Sequence, residues 1–266
     1  MATPALRMRA AHRRATALYC TLHGSGTPLL LLHGLGATGA IFRPIIPALA
    51  RRFQVIVPDL RGHGHSTCLP GPDSIDRMAA DVANLLDLLN IPSCLVLGYA
   101  SGGAVAQQLA LRYPARVRGL ALVCAYARSA ATLPERIKVR LRPELLRLLG
   151  PRRAGALADG QLRARPPEPV GAALAHSQGG RVAPVARALQ SFDSRSWLPT
   201  LGCPALVVAG EHDTVTPLRH AHELAALLPG AKLHTLPYAG HWLVATHTPE
   251  LLAIVEPWLA TQEARA

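Results

Sequence analysis

The sequence predicts an α/β protein with a mostly parallel central sheet, helices on both faces and a helical insertion. Three observations lead there. Short apolar runs of strand length (residues 29–32, 54–57, 94–97, 120–124 and 205–208) alternate with helix-like stretches, and strands buried on both faces read as such unbroken apolar runs. Several runs open into Gly-rich corners. The alternation stops after residue 126 and resumes only near residue 205.

In order, residues 16–23 alternate weakly and end at Gly24-Ser25-Gly26, a strand and a turn. The apolar strand 29–32 leads into His33-Gly34-Leu35-Gly36-Ala37-Thr38-Gly39, where glycines let backbone N–H groups approach a ligand closely. Residues 41–52 read as a helix and 54–57 as the next buried strand. The loop Pro58-Asp59-Leu60-Arg61-Gly62-His63-Gly64-His65-Ser66 is too long and Gly-rich for a bare connector. Residues 73–89 place Ile75, Met78, Val82, Leu85 and Leu88 at helical spacing. The stretch 94–108, CLVLGYASGGAVAQQ, reads as strand, sharp corner and the start of a helix that runs through 104–113. After the strand 120–124, residues 127–195 are helical or broken by Pro and Gly, with apolar patches at 145–149, 172–175 and 182–189. They are expected to form a helical cap inserted into a core made of residues 1–126 and 196–266. The strand 205–208, a helix at 218–228, a strand at 232–236 and a last helix complete the chain. Thr248 is expected as the N-cap of that helix, with Pro249 at its first position.

The chain's 266 residues suffice for a large α/β domain with an insertion. Half are hydrophobic, but no apolar run approaches the roughly 20 residues a membrane span needs. The basic start MATPALRMRAAHRR is followed by no apolar signal core. Five scattered cysteines without C-x-x-C spacing read as reduced thiols of a cytoplasmic protein. The net charge of +12 invites a nucleic-acid partner, but thirteen Lys or Arg against five Asp or Glu lie within residues 127–195. No stacking aromatics are interleaved there. An Arg-rich solvated surface, or attraction of anionic substrates or carriers, fits that pattern better.

The corner at 98–103 decides the chemistry. In a G-x-S-x-G elbow the residues two before and two after the tip must be small, because the turn brings their backbones together. With position 100 at the tip these are Gly98 and Gly102; with Ser101 at the tip, Tyr99 would stand in the crowded place. The tip is therefore Ala100, which offers no nucleophile, and Ser101 contributes a backbone N–H beside it. Asp213, in Gly210-Glu211-His212-Asp213, follows one strand, and His241, in Tyr238-Ala239-Gly240-His241, follows the next. Open α/β sheets gather functional groups at such strand ends.

LLLLHGLGATG, VPDLRGHGHS, LGYASGG, GEHDTVTP and AGHW fall in the order found in the α/β-hydrolase superfamily, which the chain resembles over nearly its whole length. The resemblance implies a capped α/β-hydrolase fold of the esterase, lipase or thioesterase kind. It implies Ala100 at the nucleophile position, Asp213 orienting His241, and an oxyanion hole from the N–H groups of Leu35 and Ser101. The departure is Ala100 itself, where serine hydrolases of the family carry the nucleophile. Phe192 is the only aromatic residue of 127–195, so the cap's walls are expected to be aliphatic. They would suit a small-molecule ester, lactone or thioester with an apolar acyl part, in an anionic or carrier-linked form if the basic charge has a use.

Three readings of Ala100 stay open: an acyl hydrolase whose nucleophile is replaced and which is inactive or nearly so; an enzyme using His241 and Asp213 without a covalent step, as a lyase, cyclase or cofactor-free oxygenase; or a non-catalytic binding protein. No cofactor, metal, nucleic acid or membrane span is expected, and no H-E-x-x-H spacing occurs. His33, Asp59, Arg61 and His63 are read as bracing their loops, His212 as a solvated loop residue and His247 as a helix-start residue.

Overall fold

The computed structural model describes residues 18–66, 70–71, 73–158 and 179–264, with backbone alone for 151–158 and 179–180. The apolar patch 172–175 and Cys68 lie outside the described residues.

Seven strands form one sheet: β1 (Cys20–His23), β2 (Thr27–Leu32), β3 (Phe53–Pro58), β4 (Cys94–Tyr99), β5 (Val117–Val123), β6 (Ala205–Gly210) and β7 (Lys232–Leu236), in the order β1-β3-β2-β4-β5-β6-β7. Only β1 runs antiparallel, pairing Cys20 with Pro58 and His23 with Val55; every other neighbouring pair is parallel. The helices are α1 (Ile46–Leu49), α2 (Ile75–Leu88), α3 (Ser101–Arg112), α4 (Leu133–Ala158), α5 (Gly179–Gln190), α6 (Leu218–Leu227), α7 (Leu243–Thr246) and α8 (Thr248–Glu263).

The two-residue period of a strand explains why the sheet must be covered on both faces. In β2, Leu30 and Leu32 join a core cluster with Met78, Val82 and Leu86 of α2 and Val105 and Leu109 of α3. Leu29 and Leu31 join the opposite cluster with Phe42, Leu49 and, from α8, Leu251, Val255 and Leu259. All four leucines are fully buried, each contributing about 1.5–3 kcal/mol by leaving water. The strand-end loops that result, after β2, β4, β6 and β7, lie on the same edge of the sheet.

Two expectations fail locally. Residues 41–52 do not form one helix but a 3₁₀ turn, Gly39–Phe42, and the single turn α1; Pro44 and Pro47 each lack an N–H and so prevent a continuous ladder. Thr248 is not an N-cap. It is the first residue of α8, and its hydroxyl donates back to the Val244 carbonyl at 2.9 Å.

Between β5 and β6 the described residues contain no sheet strand, only α4, α5, a 3₁₀ turn at Leu198–Thr200 and an isolated bridge pairing Arg128 with Asp193. A capping box starts α4: Thr132 Oγ1 accepts from Glu135 N at 3.4 Å and Glu135 Oε2 accepts from Thr132 N at 2.8 Å. Gly150, with φ 75° and ψ 164°, breaks the helix. Leu146 packs against Val182 and Ala186 of α5. No described helix is long and apolar enough to cross a membrane.

Candidate active site

The corner between β4 and α3 is built by absence of side chains. A Cβ on Gly98 would lie 2.6 Å from Gly103 Cα, and one on Gly102 would lie 2.1 Å from the Leu32 carbonyl oxygen. The chain turns at Ala100, which has φ 52° and ψ −122°. That conformation costs an L-residue on the order of 1–3 kcal/mol. It is held by Ala100 N donating to Val123 O and Gly103 N donating to Ala100 O, each at 2.9 Å. The tip is thus Ala100, and Ser101 is the first residue of α3, where an N–H has no partner within the helix.

The loop after β2 brings Leu35 over this corner, and Leu35 N donates to Ser101 Oγ at 2.6 Å. The hydroxyl of Ser101 therefore occupies the direction in which the Leu35 N–H points. Nothing in the sequence signals this contact, since it joins residues 66 apart in the chain. Two buried histidines hold the loop. His63 Nε2 accepts from Gly36 N at 2.9 Å and His33 Nε2 accepts from Leu60 N at 2.8 Å. Their Nδ1–H groups donate to the carbonyls of Arg61 and Gly34, each at 2.9 Å. Both rings must be neutral to do this. Burial lowers the pKa of His33, and burial together with the neighbouring His33 pushes that of His63 down to about 3. Asp59 accepts from Gly39 N and His65 N, and Arg61 forks onto Asp81 at 2.7 and 3.0 Å. None of Asp59, Arg61 and His63 lines the large cavity described below.

Beyond β6, Asp213 turns its carboxylate back on its own loop: Oδ1 accepts from Val215 N at 2.8 Å and Thr216 N at 2.7 Å. The other oxygen, Oδ2, accepts from Thr216 Oγ1 at 2.6 Å and from His241 Nδ1 at 2.8 Å. Burial raises the carboxyl's pKa, but His241 and the Thr216 donors outweigh it and hold Asp213 below the usual range. With Nδ1 donating, His241 leaves Nε2 as an acceptor. Tyr99, the last residue of β4, fixes the histidine's backbone by donating to the His241 carbonyl at 2.7 Å. The D-x-x-T spacing of Asp213 and Thr216 is a turn signal that could have been read in the sequence; the approach of Tyr99 could not.

Cys124, in the left-handed region at φ 49°, sets its buried thiol beside Asp213. Burial, with the carboxylate adding to it, drives the thiol's pKa well above its ordinary value. Cys124, Asp213 and His241 are the one group of three metal-capable side chains found among the described residues, with donor atoms within 4.8 Å of one another. Asp213 and His241 already satisfy each other there, and the thiol is held protonated, so the donor set favours the hydrogen-bonded pair over a metal.

A cavity of about 410 Å³ reaches from this corner to α4. Leu35, Ala100, Ser101, His241 and Trp242 line its floor. Its far wall includes Lys138, Val139, Arg142 and Leu146. His212 and His247 do not line it. Glu135, at the start of α4, ties this wall to α6 by pairing with Arg219 and with His220 Nε2, the latter at 3.1 Å. Burial and Arg219 keep the pKa of His220 low. The expected aliphatic walls are present in Val139, Leu146, Ala186 and Leu189, but Tyr99, Tyr126 and Trp242 add aromatic surface from outside 127–195. Phe192 does not line the cavity; it packs edge-on against Tyr126 and Trp197.

Known proteins are similar to this chain over most of its length. The putative carbamate hydrolase RutD of Azorhizobium caulinodans is 33% identical over 258 residues, covering 91% of this chain and 94% of that protein. The pimeloyl-[acyl-carrier protein] methyl ester esterase of Chromobacterium violaceum is 30% identical, covering 92% and 99%. Among solved structures, the enol-lactonase from Burkholderia xenovorans LB400 superposes with a TM-score of 0.80 at 28% identity, covering 91% of this chain and 96% of that one. The family model for the alpha/beta hydrolase fold matches residues 27–248, which include the elbow, the acid and the histidine, and the chain accordingly belongs to the α/β-hydrolase family.

Proposed function

We propose that this chain is an acyl hydrolase that attacks the substrate carbonyl with water, without an acyl-enzyme. Residues 127–195 act as its cap over a core of residues 1–126 and 196–266. The observation that carries the reading is the elbow: Ala100 keeps the strained tip conformation while the Asp213–His241 pair beside it is fully assembled. A structure that only bound ligand would gain from relaxing that strain, for instance with glycine at position 100.

In the proposed step, a water molecule beside the Ala100 methyl gives a proton to His241 Nε2 as its oxygen bonds to the carbonyl carbon. Asp213 holds the tautomer and stabilises the imidazolium. The carbonyl oxygen, now an oxyanion, takes the N–H groups of Ser101 and Leu35, displacing the Ser101 hydroxyl from the latter. Collapse breaks the bond to the leaving group, which recovers the proton from His241, and the acid departs. Esters, lactones, thioesters and carbamates all fit this step. The relatives named as a carbamate hydrolase, a methyl ester esterase and an enol-lactonase support carbamates, esters and lactones, and the apolar stretch of wall supports an apolar acyl part. The excess of Lys and Arg within residues 127–195 supports an anionic or carrier-linked substrate.

The test is turnover of p-nitrophenyl esters, lactones and acyl thioesters by the parent chain and by His241→Ala. The reading expects acid release that His241→Ala abolishes and Ser101→Ala does not. Absence of turnover across all three classes, or turnover indifferent to His241, refutes it. Substrate loss that depends on His241 but releases no acid would instead assign a lyase or cyclase.

A further inference from the structure

The α4 side of the cavity carries more positive charge than the described residues neutralise. Lys138, Val139, Arg142 and Leu146 recur on α4 at spacings of three and four and so share one face of the helix. The one acid on this face, Glu135, is already engaged: it accepts from the N–H groups of Ala131 and Thr132 and pairs with Arg219 and His220. The other described acids nearby are also committed, Glu144 to Arg147 and Arg187, Asp193 to Arg195, and Glu223 to Arg128. Lys138 and Arg142 have no ion pair among the described residues.

A third donor joins them. Tyr126 is buried to 8% exposure and lines the same cavity, yet its hydroxyl bonds to no described residue. Burial raises its pKa to about 12, and the charge of Arg142 acts against that rise. The phenol therefore stays protonated, a donor beside a half-buried guanidinium. Two cations and a hydroxyl turned into a cavity, with apolar Val139 and Leu146 alongside, match one ligand chemistry: an apolar chain ending in a planar anion.

We propose that Arg142, Lys138 and Tyr126 form a carboxylate-binding subsite, so that the substrate is an acyl compound with a free carboxylate at the end remote from the reacting carbonyl. This deepens the hydrolytic reading and rests on it for which end reacts. The binding itself does not need turnover. Arg142, half-buried, supplies the planar fork, and exposed Lys138 supplies charge at the mouth.

The experiment measures equilibrium binding by calorimetry for hexanoate against hexanamide, which differ in the terminal carboxylate. It uses the parent chain, Arg142→Gln, Arg142→Lys and Lys138→Gln. In parallel, kcat/KM is measured for monomethyl adipate against methyl hexanoate. Hexanoate should bind at least about tenfold tighter than hexanamide. That preference should fall to about twofold or less in Arg142→Gln, recover in part in Arg142→Lys, and shrink in Lys138→Gln, with hexanamide binding unchanged throughout. Equal binding of the two ligands by the parent, or a hexanoate preference that survives Arg142→Gln, overturns the subsite. A subsite that passes while neither ester is hydrolysed overturns the hydrolytic reading and leaves the carboxylate site standing.

Discussion

Acid should loosen the loop that carries Leu35, through His63. This ring is 1% exposed and accepts from Gly36 N through Nε2 while donating to Arg61 O through Nδ1, so it must be neutral in the folded chain. Burial and His33 lower its pKa from 6.5 to about 3. Because the folded value lies below the unfolded one, the unfolded chain binds the proton more readily between the two. Stability is therefore highest above pH 6.5 and falls as pH drops toward 3. At pH 5 the unfolded ring is about 1.5 units below its own pKa and the folded ring still neutral, a loss of about 2 kcal/mol relative to pH 7. His33 is shifted the same way by burial, whereas Asp213 and Asp59 are held below 3.8 and titrate at lower pH. The contribution of His63 is isolated by comparing the parent with His63→Gln, which keeps an acceptor for Gly36 N but does not titrate. Urea unfolding at pH 7 and pH 5 should show the parent losing about 2 kcal/mol more than the variant. Equal losses would refute the assignment of a buried neutral His63.

Four further outcomes follow from the structure. Gly102→Ala, whose Cβ would sit 2.1 Å from the Leu32 carbonyl, should cost about 3 kcal/mol or prevent folding. Gly202→Ala, with nothing within 4 Å, should stay within about 0.5 kcal/mol of the parent; thermal unfolding compares them. Asp213→Asn removes the acceptor that fixes the His241 tautomer and should lower kcat by on the order of 10³–10⁴ in steady-state assays, with the chain still folded. Raising salt from low ionic strength to about 0.5 M should depress kcat/KM steeply for carboxylate-bearing esters and little for neutral ones, since the basic wall acts through screened charge.

Much of the site was legible because it depends on local sterics and chain order. Gly98 and Gly102 identify Ala100 as the tip from local sterics, and both positions exclude a Cβ in the fold. Asp213 and His241 followed from their places after two strands. What stayed hidden needed segments far apart in the chain to meet. Ser101 Oγ and Leu35 N are 66 residues apart, and Tyr99 and the His241 carbonyl 142 apart. Cys124 is one of five scattered thiols in the sequence, and only the fold sets it beside Asp213. The departure at residues 41–52 is of another kind, since Ile41, Ile45 and Leu49 keep a helical spacing while Pro44 and Pro47 break the ladder.

In the proposed reaction water, not a side chain, attacks the carbonyl at Ala100, and pre-steady-state release of p-nitrophenol distinguishes the two. The parent chain should show a linear trace without a burst. Ala100→Ser should show a burst near one equivalent per chain, because the hydroxyl would then stand at the elbow tip, in the cavity that His241 also lines. The burst should vanish in Ala100→Ser with His241→Ala. A burst in the parent that Ser101→Ala removes, or a folded Ala100→Ser chain without a burst at any acyl length, would contradict the account.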